Sequence, residues 1–120
     1  VRNALRGEAL HLKSDGTGSR SFAYIADTVA GILFLLLKGS HKMTADVGNR
    51  GGVLQIRELA EMLARLAPAG PLSVHVRPEP ARKESPAPDR IPDTRDLESL
   101  GWHPRVSPEE GFRRTLQSYG

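Results

Sequence analysis

Arg20-Ser21-Phe22-Ala23-Tyr24-Ile25-Ala26-Asp27 is the stretch on which the reading of this 120-residue chain turns. Arg20 directly follows Ser14-Asp15-Gly16-Thr17-Gly18-Ser19, a cluster of turn-forming residues. Phe22, Tyr24 and Ile25 form a β-prone run. On the other side of the turn, Leu10 and Leu12 alternate with His11 and Lys13, the pattern of a short strand. Two short strands across a Gly-rich turn predict a hairpin. Asp27 is expected to cap the next helix, because a carboxylate can accept the free N–H groups of a helix start. From Val29 to Leu37 every residue but Gly31 is apolar. That run is far short of the roughly 20 residues that span a bilayer. It predicts a helix buried on most sides, ending at Lys38-Gly39.

The same reading extends in both directions. Val1, Leu5, Arg6 and Gly7 look like the tail of a helix with a Gly stop, so the chain reads as part of something longer. Met43 to Val47 alternates and runs into Gly48-Asn49-Arg50-Gly51-Gly52, which predicts a strand entering a loop. Ile56, Leu59, Ala60, Leu63 and Leu66 recur at helical spacing, with Pro68 closing the helix. Leu72, Val74 and Val76 alternate with polar residues and predict a strand with one buried face. Pro78 to Pro92 holds five of the nine prolines and predicts an extended loop. Asp93 to Leu100 reads as a short helix stopped by Gly101, with Trp102 as a packing anchor for the final helix. Ser107-Pro108-Glu109-Glu110 has an N-cap Ser, Pro at the first helical position and a capping-box Glu. Phe112, Leu116 and Tyr119 then line one face. The sum is one mixed α/β domain, 1–120, of short strands and about four to five helices.

Composition narrows the chemistry. Without cysteine there is no disulfide framework, zinc ribbon or thiol nucleophile. Lys+Arg number 17 and Asp+Glu 14, and the two signs are interleaved, so the chain lacks the clustered basic face of a nucleic-acid binder. His11, His41, His75 and His103 show no metal-ligand spacing. Gly16-x-Gly18-x-x-Ser21 misses the third glycine of a dinucleotide fingerprint and precedes a predicted strand, not a helix. Glu109 and Glu110 are explained by capping, and Glu58 and Glu61 read as solvated. No residue stands out as catalytic, cofactor-binding or metal-binding. Arg20, after the Gly-rich turn, and Arg90, at the end of the Pro-rich loop, carry guanidinium groups suited to bidentate phosphate contact. By position alone both read first as solvated surface arginines.

Six short motifs, in order, resemble a known family. Arg20 to Asp27 resembles the R-x-F-x-Y-V-x-D motif of the extended short-chain dehydrogenase/reductases, above all the NAD-dependent nucleotide-sugar epimerases, dehydratases and decarboxylases. Ala45-Asp46-Val47-Gly48-Asn49 is similar to Y-N-I-G-N, Ile56-Arg57-Glu58-Leu59-Ala60 to S-I-x-E-L-A, and Arg90-Ile91-Pro92-Asp93 to R-x-P-D. Leu100-Gly101-Trp102-His103-Pro104 is similar to L-G-W-x-P, and Ser107 to Gly111 to the closing L-x-E-G-L helix start. The resemblance covers essentially the whole chain but only the C-terminal, substrate-binding part of such enzymes. It implies that the N-terminal Rossmann half, with its Gly-rich turn and Y-x-x-x-K pair, is missing. Here Thr28 stands four residues after Tyr24.

The resemblance also implies roles. Arg20 and Arg90 would contact the diphosphate of a nucleotide sugar, positioning it and neutralising its charge. The family's amide near the nucleotide is replaced by Asp46, a carboxylate that cannot donate like an amide and would repel phosphate. NAD would belong to the parent enzyme and would not be held by this chain alone, which is expected to be inactive. The Val29–Leu37 helix would pack on the missing half. By itself it would leave an apolar patch and a self-associating chain. The expected setting is the cytoplasm. The competing reading is a non-catalytic interaction module, suggested by Asp46 and the short chain.

Overall fold

In the computed structural model, residues 1–76 and 91–119 are described. The predicted Pro-rich loop therefore lies largely outside the described residues, as does Arg90. The chain divides into two compact units. In the described residues the first comprises 1–20, 54–76 and 112–119, and the second 21–53 and 91–111.

The first unit is built on two short parallel strands and the helices around them. The helix α1 (Arg2–Leu5) ends at Gly7, whose φ of 68° is the left-handed turn a side chain would resist. The strand β1 (Leu10–Leu12) follows. It does not pair with the next strand, β2 (Ser19–Ser21). Its partner lies far along the chain, with Leu10, His11 and Leu12 opposite Val74, His75 and Val76 in parallel register. The expected hairpin is thus overturned, and the turn shows why. Gly16 and Gly18 give their carbonyls to the N–H groups of Arg57 and Ile56, both at 3.0 Å. Gly16 has φ 78°, and a Cβ there would meet the Arg57 Cβ at 2.9 Å. The turn is tied to a helix start, which carries the chain away from β1. The short strand β2 pairs instead with β3 (Val53–Gln55).

The amphipathic helix α3 (Ile56–Leu66) has the bounds its spacing predicts. Glu58 is not merely solvated: its carboxylate accepts the Gln55 N–H at 2.8 Å and caps the helix start. Glu61 pairs with Arg57 one turn away. The buried Ala60, Leu63 and Ala64 of α3 meet Ala4, Leu10, Ala67 and Leu116, with Leu12, Leu59 and Phe112 packed beside them. Each buried Leu is worth about 1.5–3 kcal/mol relative to exposure. The strand β4 (Val74–Val76) closes the pair with β1. Its inward face is partial, since Val74 is half-buried and Val76 exposed.

The second unit centres on the helix α2 (Ile25–Lys38). It begins earlier than expected, with Tyr24 rather than Asp27 at the N-cap. Nor is it buried on most sides. Within it only Asp27 and Gly31 are buried, while Leu36 and Leu37 are 74% and 82% exposed. The inward side is narrow because Gly31 lets other groups come close: a Cβ there would lie 2.8 Å from Val47 Cγ1 and 3.1 Å from Leu97 Cδ2. The helix α4 (Arg95–Ser99) carries the fully buried Leu97 and stops at Gly101, φ 95°. Trp102, expected to anchor the final helix, is 2% exposed and is held instead against α2, beside Gly31, its Nε1 donating to the Asp27 carbonyl at 3.0 Å. Residues 43–47 form no strand. Val47 is held by side-chain packing at Gly31, and Asp46 by a hydrogen bond, so alternation here has no ladder to join. The helix α5 (Pro108–Ser118) starts as predicted, with Ser107 Oγ accepting the Glu110 N–H at 3.2 Å. Leu116 is buried, but Tyr119 lies past the helix end and is 72% exposed, so it does not extend that face. Among the described residues, five helices and four short strands make a mixed α/β fold, as expected.

Candidate functional site

The first unit contains a cavity of about 320 Å³ between α1, β1 and α3. Its walls are mostly aliphatic: Val1, Leu10, Leu12, Ile56, Leu59, Ala60 and Leu63, with Arg2, Asn3 and His11 as polar groups. It lies along the side of β1 that does not face β4, since no β4 residue lines it. An apolar slot beside a strand edge suits a flat heterocycle, which can hydrogen-bond to backbone groups along one rim. The Asn3 side chain is already committed, donating to the Ala9 carbonyl at 3.2 Å.

Arg20 is joined to this cavity by a short chain of contacts. Ile56 lines the cavity, its N–H is bonded to the Gly18 carbonyl, and Arg20 lies two residues further along. Arg20 is exposed on β2, and its Nη1 donates to the Ser19 carbonyl at 2.7 Å. Among the described residues no carboxylate pairs with it, so its charge remains available to an anion. Arg90, the second predicted phosphate contact, falls outside the described residues.

Asp46 takes a different part from the amide it replaces. Its Oδ2 accepts the backbone N–H of Asp93 at 3.0 Å. It therefore fixes the end of the Arg90-Ile91-Pro92-Asp93 segment. Close packing supports this, because a Cβ on Gly48 would lie 2.5 Å from Pro92 Cγ. Asp93 is bonded in turn to Arg95, whose guanidinium holds the Asp93 carboxyl down to about 2. Asp15, bonded to the Thr17 N–H and hydroxyl in the turn before Arg20, is also lowered.

Asn49 is buried, and its carbonyl accepts the Ser21 hydroxyl at 2.7 Å. Gly52 lets it fit: a Cβ there would sit 2.5 Å from the Phe22 carbonyl and 2.6 Å from Asn49 Nδ2. Asp27, expected to cap α2, instead accepts the N–H groups of Arg105 and Val106 at 3.0 and 2.8 Å. The cavity was not foreseen. Its one advance signal was the Leu10/Leu12 alternation, which fixes that strand's inward side and says nothing of an open edge.

Gly16-x-Gly18-x-x-Ser21 does not fit a dinucleotide. The segment leads into β2, and its two glycine carbonyls are spent on α3. No helix N-terminus follows it to face a pyrophosphate. The described residues hold no group of three or more His, Cys, Asp or Glu placed to bind a metal ion. None of the described helices is long and apolar enough to cross a membrane.

No family model matches the chain. UDP-glucuronic acid decarboxylase 5 of Arabidopsis thaliana is 35% identical over 113 residues, which is 93% of this chain and 31% of the relative. The UDP-glucose 4-epimerase of Thermotoga maritima, solved with UDP-glucose, matches with a TM-score of 0.77 at 25% identity. The match covers 98% of this chain and 36% of that one. The chain is a relative of the extended short-chain dehydrogenase/reductases. The dTDP-glucose 4,6-dehydratase of Bacillus anthracis, solved with NAD, shares the fold, with a TM-score of 0.79 at 22% identity over 98% of this chain and 36% of that one. The chain thus spans about a third of the length of the relatives it matches.

Proposed function

We propose that this chain is the nucleotide-sugar-binding, C-terminal part of an NAD-dependent epimerase, dehydratase or decarboxylase acting on a UDP- or dTDP-sugar. The observation that carries the reading is Arg20: an exposed guanidinium, unpaired with any described carboxylate, two residues beyond the contact that ties its turn to the cavity wall. The cavity would take the base, with the free edge of β1 supplying hydrogen bonds. Arg20 and Arg90 would neutralise the diphosphate. The UDP-sugar names of the relatives support this substrate class.

NAD would be held by the part of such an enzyme that lies beyond these residues, as would the catalytic groups. The isolated chain is then inactive, with isomerase or lyase activity belonging to the whole protein. Self-association and a cytoplasmic setting complete the reading. A non-catalytic interaction module on the same fold is the second reading, favoured by the exposed face of α2.

Isothermal titration of the 120-residue chain with UDP and dTDP tests the proposal. Weak binding that is lost in Arg20→Ala and in Arg90→Ala is the expected result. Binding unchanged by both substitutions, or tight binding of NAD by the chain alone, overturns it. No heat with either nucleotide favours the interaction module.

A further inference from the structure

His11 and His75, far apart in the sequence, are brought together by the fold. The parallel register of β1 and β4 sets them directly opposite one another, with ring centroids 5.2 Å apart and ring planes inclined by 18°. Both are exposed, on the side of the strand pair away from the buried Leu10. Among the described residues neither imidazole takes part in a hydrogen bond or an ion pair. We infer that this pair chelates a divalent transition cation of the zinc, nickel or copper class. The inference stands apart from the nucleotide reading.

Imidazole nitrogens bind such ions at ~2.0–2.1 Å, so two donors on one ion lie about 3 Å apart. The strand pair comes close to that spacing, because neighbouring strands run ~4.8 Å apart and paired residues leave the sheet on the same face. What is left is a tilt of the two rings towards each other. Rotation about χ2 supplies it, a torsion with a broad and shallow profile in histidine. Both rings are exposed, so the backbone and the core stay where they are. Folding has already met most of the entropy of bringing the two donors together.

The donor set selects the ion. Zinc, nickel and copper favour imidazole, whereas magnesium and calcium take oxygen ligands. No third His, Asp or Glu completes the site among the described residues, so water fills the remaining positions and the ion exchanges. Two cationic side chains oppose binding. Lys13 follows His11 by two residues, and Arg2 lines the cavity that His11 borders. At the ~7 Å between residues i and i+2 of a strand, a lysine in water weakens the binding of a dication by no more than about tenfold. Both side chains are exposed and can turn into solvent, so they lower the affinity without removing the site. An ion held there bridges β1 to β4 and fastens the strand that walls the cavity.

Isothermal titration of the untagged chain with nickel chloride tests the inference. The expected result is one ion per chain in the micromolar range, weakened at least about tenfold by His11→Ala and likewise by His75→Ala, since each leaves a single imidazole. Replacing His41 and His103 by alanine leaves that affinity unchanged. Nickel raises the thermal midpoint of the unaltered chain and not that of His11→Ala, because the chelate exists only in the folded state. Paramagnetic nickel also broadens the imidazole NMR signals of His11 and His75 before those of His41 and His103, a readout that needs no variant to fold.

No binding at about 1 mM nickel overturns the inference. So does an affinity that neither substitution changes, and so does broadening that begins at His41 or His103. A loss confined to one of the two substitutions overturns it as well, since a single imidazole then carries the ion. The probe is the metal alone, so the two readings fail separately: a chain that binds nickel but no UDP keeps the chelate, and one that binds UDP but no nickel keeps the nucleotide site.

Discussion

The Asp27 carboxylate holds the backbone of Val106, 79 residues further along the chain, at 2.8 Å. The same oxygen takes the Arg105 N–H, while the Asp27 carbonyl takes the Trp102 indole. One residue of α2 thus fixes the whole connection from Trp102 to the start of α5.

Asp27→Ala leaves two partly buried N–H groups without this acceptor and is expected to cost about 3 kcal/mol, since hydrogen bonds to charged groups contribute ~1.5–3 kcal/mol each. Asp27→Asn keeps one oxygen in place and is expected to cost about half as much. The midpoint of urea unfolding, followed through the sole tryptophan, measures both.

Gly31→Ala sets a helix-propensity gain of up to about 1 kcal/mol against a clash with Val47, Leu97 and Trp102. Two of those atoms belong to tightly packed side chains, and overpacking costs about 1–3 kcal/mol, so the net effect is destabilising. The added methyl also touches the indole, so the emission maximum of Trp102 shifts in the folded state. An unchanged spectrum together with raised stability would contradict the packing.

Asp93 titrates at about 2 because the Arg95 guanidinium bonds to its ionised form. A depressed carboxyl stabilises the fold above its unfolded value of ~3.9 and loses that contribution as pH falls towards 2. The pair is exposed, so the effect on global stability is small. The clear readout is the carbon-13 shift of the Asp93 carboxyl, whose titration in Arg95→Ala returns to the ordinary aspartate range.

Asp46→Asn retains an oxygen to accept the Asp93 N–H, so the loop end stays fixed. It also removes a negative charge from the segment that would border a diphosphate. Under the nucleotide-binding reading, UDP affinity rises about two- to fivefold, the size of an exposed charge effect. Asp46→Ala removes the acceptor and lowers affinity instead.

What the sequence makes legible here is local. The bounds of α3 and the start of α5 follow from helical spacing and from Ser107-Pro108, because both signals act within a turn or two. Arg20 is singled out only by the family resemblance, since by position alone it reads as a solvated surface arginine. Pairings across the chain are different. Gly16 and Gly18 look the same in a hairpin as in a turn bonded to α3, so the partner of β1 had no local mark. Asp27 could serve any pair of free N–H groups, and the nearer helix start was the natural expectation. The apolar run of α2 reads as a buried helix because composition records a preference for burial, not whether a covering surface is there.

The parallel pairing of β1 with β4 sets the order in which this chain assembles. Leu10 and Val74 meet only after the intervening segment has been drawn into a loop, an entropic cost that local contacts do not bear. The helices α2 and α3 can form within microseconds, whereas the strand pair must await collapse around α3. The first unit is therefore expected to be completed last, with the wall that β1 gives the cavity among the final surfaces to appear.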